Sequence, residues 1–411
     1  MLKNYLKTAW AVLMRRKFFT FISLFGISLT LTILIVFTAF FDRVSSPGYP
    51  DMKRDRSLYI NWIVQKNPKQ AGMMKGPGSF YYMNHYVGSM KSPEKVAISS
   101  IFRATNTYVK NKKLVINIKY TNDAWWEVLE YQFLEGKPYT AQQTSNGDRV
   151  AVISEEIRDQ YFGDGELAVG KYIDADNIRY RVAGVVKSVS VTSPFIYADM
   201  YLPYTVSKGD FRTKSLSGEY TAIVLAKSRR DFPRIQEEYR QVVSKIPPQN
   251  KDFTDIKSYA DPYLESFIRV FSKDENSGLG FFMTVLSLVV FFLMLLPAIN
   301  LVNVNVSRIM ERSSEIGVRK AFGASSSVLA LQFVVENVIL TLLGGVLSVI
   351  LSQLILSAIN GSDLIPNTLL SINYRVLLYG FGACIFFGLL SGVYPAWRMS
   401  RLEVVDALKA Q

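Results

Sequence analysis

The chain has 411 residues, 49% of them apolar, a mean hydropathy of +0.14 and a formal net charge of +13. These averages fall between those of soluble and membrane-embedded chains, so the sequence has to be read segment by segment. A single cysteine, Cys384, excludes a disulfide framework, and a single histidine, His85, excludes a His-rich metal site and a Ser-His-Asp triad built elsewhere.

Leu2, Tyr5, Leu6, Ala9, Trp10 and Leu13 recur at helical spacing, with Lys3, Lys7 and Arg15 off that stripe. This predicts an amphipathic helix over 1–17 lying in the cytoplasmic interface, the alternative being a simple basic flank. Residues 18–41 follow without a charged side chain. At ~1.5 Å per residue they reach about 36 Å, enough to cross a ~30 Å hydrocarbon core.

Residues 42–278 alternate strand and helix signals. Leu114, Ile116, Ile118 and Tyr120 recur with period two, which predicts a half-buried strand over 112–120. Further strands are predicted at 149–153, 180–186 and 219–226, with a helix at 155–162. Phe232, Ile235, Tyr239, Val242, Val243 and Ile246 form the stripe of another helix, ended by Pro247 and Pro248. Tyr263, Leu264, Phe267, Ile268 and Phe271 keep helical spacing up to the next apolar run. They form either a stalk continuous with that run or a short helix broken at Ser277-Gly278.

Apolar runs at 279–302, 328–359 and 376–397 predict three more spans. Basic residues set the orientation. Lys3, Lys7, Arg15, Arg16 and Lys17 precede the first span, Arg308, Arg312, Arg319 and Lys320 lie in the 303–327 loop, and Arg398, Arg401 and Lys409 follow the last span. Both termini and that loop are therefore expected in the cytoplasm of a bacterial cell (inner) membrane. The region 42–278 is expected in the periplasm. The predicted fold class is an α+β membrane protein with four transmembrane helices and one large α+β domain, of one or two subdomains, between helices 1 and 2. Because the positive charge concentrates in the cytoplasmic flanks, nucleic acid is not an expected partner.

Glu336 is the one acid inside the spans. An intramembrane carboxylate is costly, so it calls for a reason: a proton relay, a hydrogen bond to a neighbouring helix, or snorkelling to the surface. Gly344, Gly345, Gly388 and Gly392 are spaced for close helix packing. Gly165 to Lys171 fits the first seven positions of a phosphate-binding loop, but Tyr172 stands where Ser or Thr is needed. The segment also follows a helix and precedes a strand, so it reads as a turn. Trp125 and Trp126 read either as core packing or as a partner contact.

The most specific segment is Glu311-Arg-Ser-Ser-Glu315-Ile-Gly317-Val-Arg319-Lys320-Ala-Phe-Gly323-Ala324. It reads as a charged helix with Glu315 and Arg319 at i,i+4 and Gly323 suited to a C-cap. It resembles the signature of MacB/FtsX-like ABC transporter permeases, the type VII or mechanotransmission family. The resemblance extends to Glu336 with Gly344-Gly345, to Tyr394-Pro395-Ala396 with the 398–411 tail, and to 150–186; Val404 departs from the family's common Pro.

The resemblance implies a dimeric permease, with a second copy or a paralogue, that turns ATP-driven closure of a cytoplasmic ABC ATPase into periplasmic motion for export of peptides, antibiotics or lipids. Glu311, Glu315, Gly317, Arg319, Lys320, Gly323 and Ala324 would lie at the ATPase contact. Glu336, Gly344, Gly345, Gly388 and Gly392 would pack the helices. The chain itself is expected to be no enzyme, to hold no cofactor or metal, and to leave ATP and magnesium to the separate ATPase, since Met1 opens directly on the interfacial helix. Membrane lipids and a periplasmic adaptor are the other implied partners. Lipoprotein release or control of cell-wall hydrolases are alternatives within the family, and a membrane sensor or scaffold is the alternative outside it.

Overall fold

The computed structural model describes residues 11, 13–15, 17–67, 72–109, 112–209, 211–248, 251–272, 276–311, 318, 322, 325–362, 364–375, 377–382, 385–386 and 389. The chain divides into two compact units. Unit 1 holds residues up to Asp42, Phe281–Leu364 and the chain from Leu369; unit 2 is Arg43–Gly280 with Ile365–Thr368. The helices used below are α1 (Lys17–Ser45), α2 (Ala141–Asn146), α3 (Glu155–Phe162), α4 (Phe232–Ser244), α5 (Tyr263–Arg269), α6 (Leu279–Glu311) and α7 (Ser326–Asn360).

In unit 1, Lys17–Ser45 and Val334–Asn360 are long and apolar enough to cross a membrane, and α6 contributes the shorter apolar stretch Leu279–Leu295. Phe18, Phe21, Phe25, Leu29, Ile33 and Phe37 stay exposed along one side of α1. A row of large apolar side chains that no protein covers belongs in lipid or against another chain. The opposite side buries Ser23, Ile27, Ser28, Leu31, Thr32 and Leu34. Most of the expected helix over 1–17 and most of the expected span over 376–397 lie outside the described residues.

Unit 2 is α+β. Its strands are β1 (Ser57–Ile60), β2 (Ile63–Lys66), β3 (Met73–Gly76), β4 (Lys95–Ser100), β5 (Arg103–Val109), β6 (Lys112–Thr121), β7 (Phe133–Gly136), β8 (Val150–Ser154), β9 (Tyr172–Ala175), β10 (Ile178–Val186), β11 (Met200–Pro203), β12 (Tyr220–Leu225) and β13 (Asp255–Ser258). The main sheet runs β1-β12-β4-β6-β11-β8-β10-β7, with β5 paired to β6 and β9 to β10; β13-β2-β3 form a second, antiparallel sheet. The pairs β10–β8 and β11–β6 are parallel and the rest antiparallel.

Period-two alternation assigns each strand residue to a face of the main sheet. Tyr59, Val150, Val152, Tyr201, Ile223 and Leu225 enter one apolar cluster around Trp125. Their neighbours turn the other way: Leu58, Ile60, Ala222 and Val224 pack with α4, while Ala151, Ile153, Met200 and Leu202 pack with Ile157 of α3. Both faces are therefore covered, which is why β8 and β12 are buried along their whole length rather than alternately. At about 1.5–3 kcal/mol per fully buried large side chain, these clusters are the main source of the unit's stability.

Local signals set the ends of the helices. Ser154 accepts from the Ile157 amide at 3.2 Å to start α3, with Glu155 and Glu156 in its first turn. Thr140 and Gln143 form a capping box on α2, which Gly147 ends in the left-handed region at φ +71°. Between α5 and α6 the chain breaks: Val270, Phe271 and Ser272 close turns on α5, and Gly278 takes φ +76°. The stalk is therefore a short separate helix, not a continuation of α6.

Candidate functional site

Most of the expected ATPase contact falls outside the described residues: Glu315, Gly317, Arg319, Lys320, Gly323 and Ala324 are not described, and Glu311 only as the last backbone position of α6. Gly388 and Gly392 likewise lie outside. Glu336, Gly344 and Gly345 are described, all on α7.

These three belong to a buried stripe. Gln332, Glu336, Asn337, Thr341, Ser348 and Ser352 are all buried, at spacings of three and four that put them along one side of the helix. Gln332 Nε2 donates to Glu336 Oε1 at 3.1 Å. The Glu336 carboxylate is thus held inside unit 1 rather than snorkelled to its surface. At Gly344 an added Cβ would come within 2.7 Å of Ile27 Cγ2 on α1, and at Gly345 within 2.5 Å of the Phe381 ring. Thr32 Oγ1 of α1 donates to the Ser348 carbonyl at 3.4 Å.

The glycines are therefore what lets these helices approach. Gly345→Ala is expected to destabilise the packing by about 1–3 kcal/mol through overpacking against Phe381. The measurement is the thermal unfolding midpoint in detergent. Gly382→Ala, where the added carbon meets nothing within 4 Å among the described residues, is the matched control and should leave the midpoint unmoved.

Unit 2 holds two polar nodes that the sequence did not single out. In the first, Arg54 Nε donates to Asp51 Oδ2 at 2.8 Å, and its Nη1 donates to the carbonyls of Val44 and Ser46, both at 2.8 Å. The Tyr59 hydroxyl donates to the same Asp51 oxygen at 2.5 Å, and the guanidinium lies 3.8 Å above the Tyr263 ring. Burial pushes the Asp51 carboxyl up, and Arg54 and Tyr59 pull it back. Burial also raises the Tyr263 hydroxyl to about 12, so it stays a neutral phenol beside the cation.

In the second node, Arg269 forms a buried ion pair with Asp261 and stacks 3.9 Å over the Tyr259 ring. Lys75 Nζ donates to the carbonyls of Arg269, Val270 and Ser272 at 2.5, 3.2 and 2.7 Å, so a cation occupies the negative end of α5. Backbone bonds between Tyr59 and Asp261 in both directions join the two nodes. The first node grips the residues that leave α1, and the second grips those that lead toward α6. Their hydrogen bonds and ion pairs run to the chain on either side of the two apolar helices, so the arrangement anchors the chain.

Three other sequence readings resolve simply. The loop through Gly165 and Gly170, both at positive φ, is a turn. Its Ala168 and Val169 amides already bond Glu135 Oε2, at 2.9 and 3.4 Å, which puts a carboxylate where a phosphate would need to sit. Trp125 is fully buried, and Trp126 packs edge-on against Tyr131, Tyr139 and Tyr201, so the pair is core. His85 is exposed and stacks on Tyr81 at 5.0 Å.

Comparison with known proteins supplies what geometry alone does not. The pattern of the MacB-like periplasmic core domain matches residues 20–242, and that of the FtsX-like permease C-terminal region matches 287–404. The pyoverdine export ATP-binding/permease protein PvdT of Pseudomonas entomophila is 22% identical over 408 residues, covering 99% of this chain and 59% of that protein. The uncharacterized ABC transporter permease YknZ of Bacillus subtilis is 24% identical, covering 70% of this chain and 68% of that protein. The macrolide export ATP-binding/permease protein MacB of Bdellovibrio bacteriovorus is 24% identical, covering 87% and 54%. The chain thus spans between about half and two thirds of the length of these relatives.

Proposed function

The chain belongs to the MacB/FtsX-like family of ABC transporter permeases, and from that premise we propose that it is the permease subunit of an exporter powered by a separate cytoplasmic ATPase. In this reading four spans place both termini and the 303–327 loop in the cytoplasm, and two permeases work as a dimer. ATP and magnesium bind the ATPase, whose closure pushes on Glu311, Glu315, Gly317, Arg319, Lys320, Gly323 and Ala324. The spans carry that motion outward, and periplasmic rearrangement moves a peptide, antibiotic or lipid.

One observation carries the reading: a family match to the periplasmic domain and a second to the permease region lie on one chain whose α1 and α7 are apolar enough to span a membrane. The relatives support it through their names, since PvdT and MacB are export ATP-binding/permease proteins and YknZ is a permease. Close packing of α7, whose Gly344 and Gly345 lie against Ile27 and Phe381, is consistent with spans that move as a packed group.

The test is reconstitution with the co-purifying ATPase. Glu315→Ala with Arg319→Ala is expected to leave basal ATP hydrolysis within about twofold while lowering transport at least tenfold, the loss of a coupling worth about 1.4 kcal/mol or more. Unchanged transport in the double variant, or a permease that never brings an ATPase with it, would overturn the proposal.

A further inference from the structure

One short piece of unit 2 comes from far along the chain. Ile365–Thr368 belong to it, although the residues on either side, up to Leu364 and from Leu369, belong to unit 1. These residues are the tip of the loop that follows α7. The base of the loop is fixed within unit 1. There the Asn360 side chain donates to the Leu370 carbonyl at 2.8 Å and accepts from the Leu370 amide at 2.9 Å, and Leu370 is buried with Ala39 and Leu356.

The tip is held differently. Asn367 takes φ +56°, a left-handed conformation that Asn tolerates, and its Nδ2 donates to Glu156 Oε2 of α3 at 2.8 Å. The hydroxyls of Thr368 and Ser190, both buried, share a second hydrogen bond. None of Ile365–Thr368 enters the described apolar clusters of unit 2. Among the described residues, docking therefore rests on polar side-chain contacts with no apolar burial behind them.

Release of the tip would strand nothing. Ser190 Oγ keeps the Thr192 hydroxyl at 2.8 Å and the Thr192 amide at 3.1 Å. Glu156 Oε1 keeps Gln160 Nε2 at 3.2 Å, and Thr368 Oγ1 donates within its own loop to the Pro366 carbonyl at 3.3 Å. This is the opposite of the Arg54 node, where loss of one partner leaves a charge buried. With every group holding a second partner, each docking bond favours the closed tip by only about 2- to 10-fold. Two such bonds give roughly 5- to 100-fold, so an open tip is populated at about 1–20%.

We propose that Ile365–Thr368 is a releasable latch. Closed, it ties unit 2 to the end of α7, in addition to the chain joins at Arg43 and Gly280; open, it leaves those two joins to hold unit 2. The fixed base keeps the tip close, so the latch can close again without a search. This goes beyond the transport reading and does not depend on it, because opening is measured on the chain without an ATPase.

The experiment is thiol labelling of the full chain in nanodiscs with a charged maleimide, in a background carrying Cys384→Ser. Thr368→Cys reports the docked tip, and Ser371→Cys, at an exposed position of the same loop, reports free access. Thr368→Cys should be labelled at least threefold more slowly than Ser371→Cys. Adding Glu156→Ala should speed labelling at 368 at least threefold, leave labelling at 371 unchanged and leave the unfolding midpoint unmoved. Any weakening that the cysteine itself causes cancels, because 368 is compared with and without Glu156→Ala. Equal rates at 368 and 371 would mean that the tip does not dock. A slow rate at 368 that Glu156→Ala does not change would mean a permanent part of unit 2, and either result would overturn the latch.

Discussion

Arg54→Ala is expected to cost unit 2 about 3–5 kcal/mol, the loss seen when one member of a buried ion pair is removed and the other left behind. Among the described side chains Asp51 would then keep the Tyr59 hydroxyl alone, and the Val44 and Ser46 carbonyls would lose the bonds from Arg54. For a unit of this size the thermal midpoint should fall by roughly 10 °C. Removing both partners should hurt less than the two single losses summed, because Asp51→Ala with Arg54→Ala leaves no uncompensated charge; a cycle of the three variants should show at least about 1 kcal/mol of coupling. Arg103→Ala supplies the contrast. Its pair with Glu219 is exposed, so the change should stay under about 1 kcal/mol. If Arg54→Ala cost no more than Arg103→Ala, the node would be an ordinary surface pair and no anchor.

Nothing in the sequence near Arg54 announces this. Residues 51–56 read as a run of charges, the usual composition of a solvated loop, and only the fold reveals that Asp51 and Arg54 face inward while Asp55 and Lys53 face out. A local pattern cannot encode it, because the partners Tyr59 and Tyr263 are brought together by pairing across β1 and α5. The legible features were those with a short physical period. The stripe of α4, the helix at 155–162 and the apolar length of α1 depend only on neighbours within a few residues. The family-specific segment around Glu315 and Arg319 was legible for another reason, since it is defined by identity rather than by packing. Glu336 was conspicuous as an acid in an apolar run, yet its bond to Gln332 follows simply from i,i+4 spacing and could have been anticipated.

Strand β6 marks where periodicity misleads. Alternation of Leu114, Ile116, Ile118 and Tyr120 predicts that the residues between them face water, and Lys113 and Val115 do stay exposed. Toward its other end β6 enters the middle of the sheet between β4 and β11, where both faces are covered, and Lys119 is buried. No carboxylate among the described residues pairs with it there. Its ammonium donates to the carbonyls of Ser100 and Phe195 at 2.8 and 3.0 Å and lies 5.8 Å from the Trp125 ring.

That burial makes the last prediction. Desolvation lowers the Lys119 pKa from 10.5 to about 7. The folded value lies below the unfolded one, so between about pH 7 and 10.5 the unfolded chain carries a proton that the folded chain lacks, and stability rises with pH across that window. The slope approaches about 1.4 kcal/mol per pH unit, which gives a gain of roughly 1 kcal/mol between pH 7.5 and 8.5 from this one group. Stopping at pH 8.5 keeps clear of the buried tyrosines, such as Tyr139 and Tyr201, whose burial raises them above the unfolded value of 10.0 and which bias stability the other way once the unfolded chain's tyrosines begin to ionise. Lys119→Met removes the titration and fills similar space, so its midpoint should be flat over the same range and should exceed that of the native chain at pH 7.5. The crossing of the two curves is the decisive reading, because the two stranded carbonyls of Ser100 and Phe195 lower the variant equally at every pH. Parallel curves would mean that Lys119 keeps its proton in the fold, held by those carbonyls and the Trp125 ring strongly enough to outweigh desolvation.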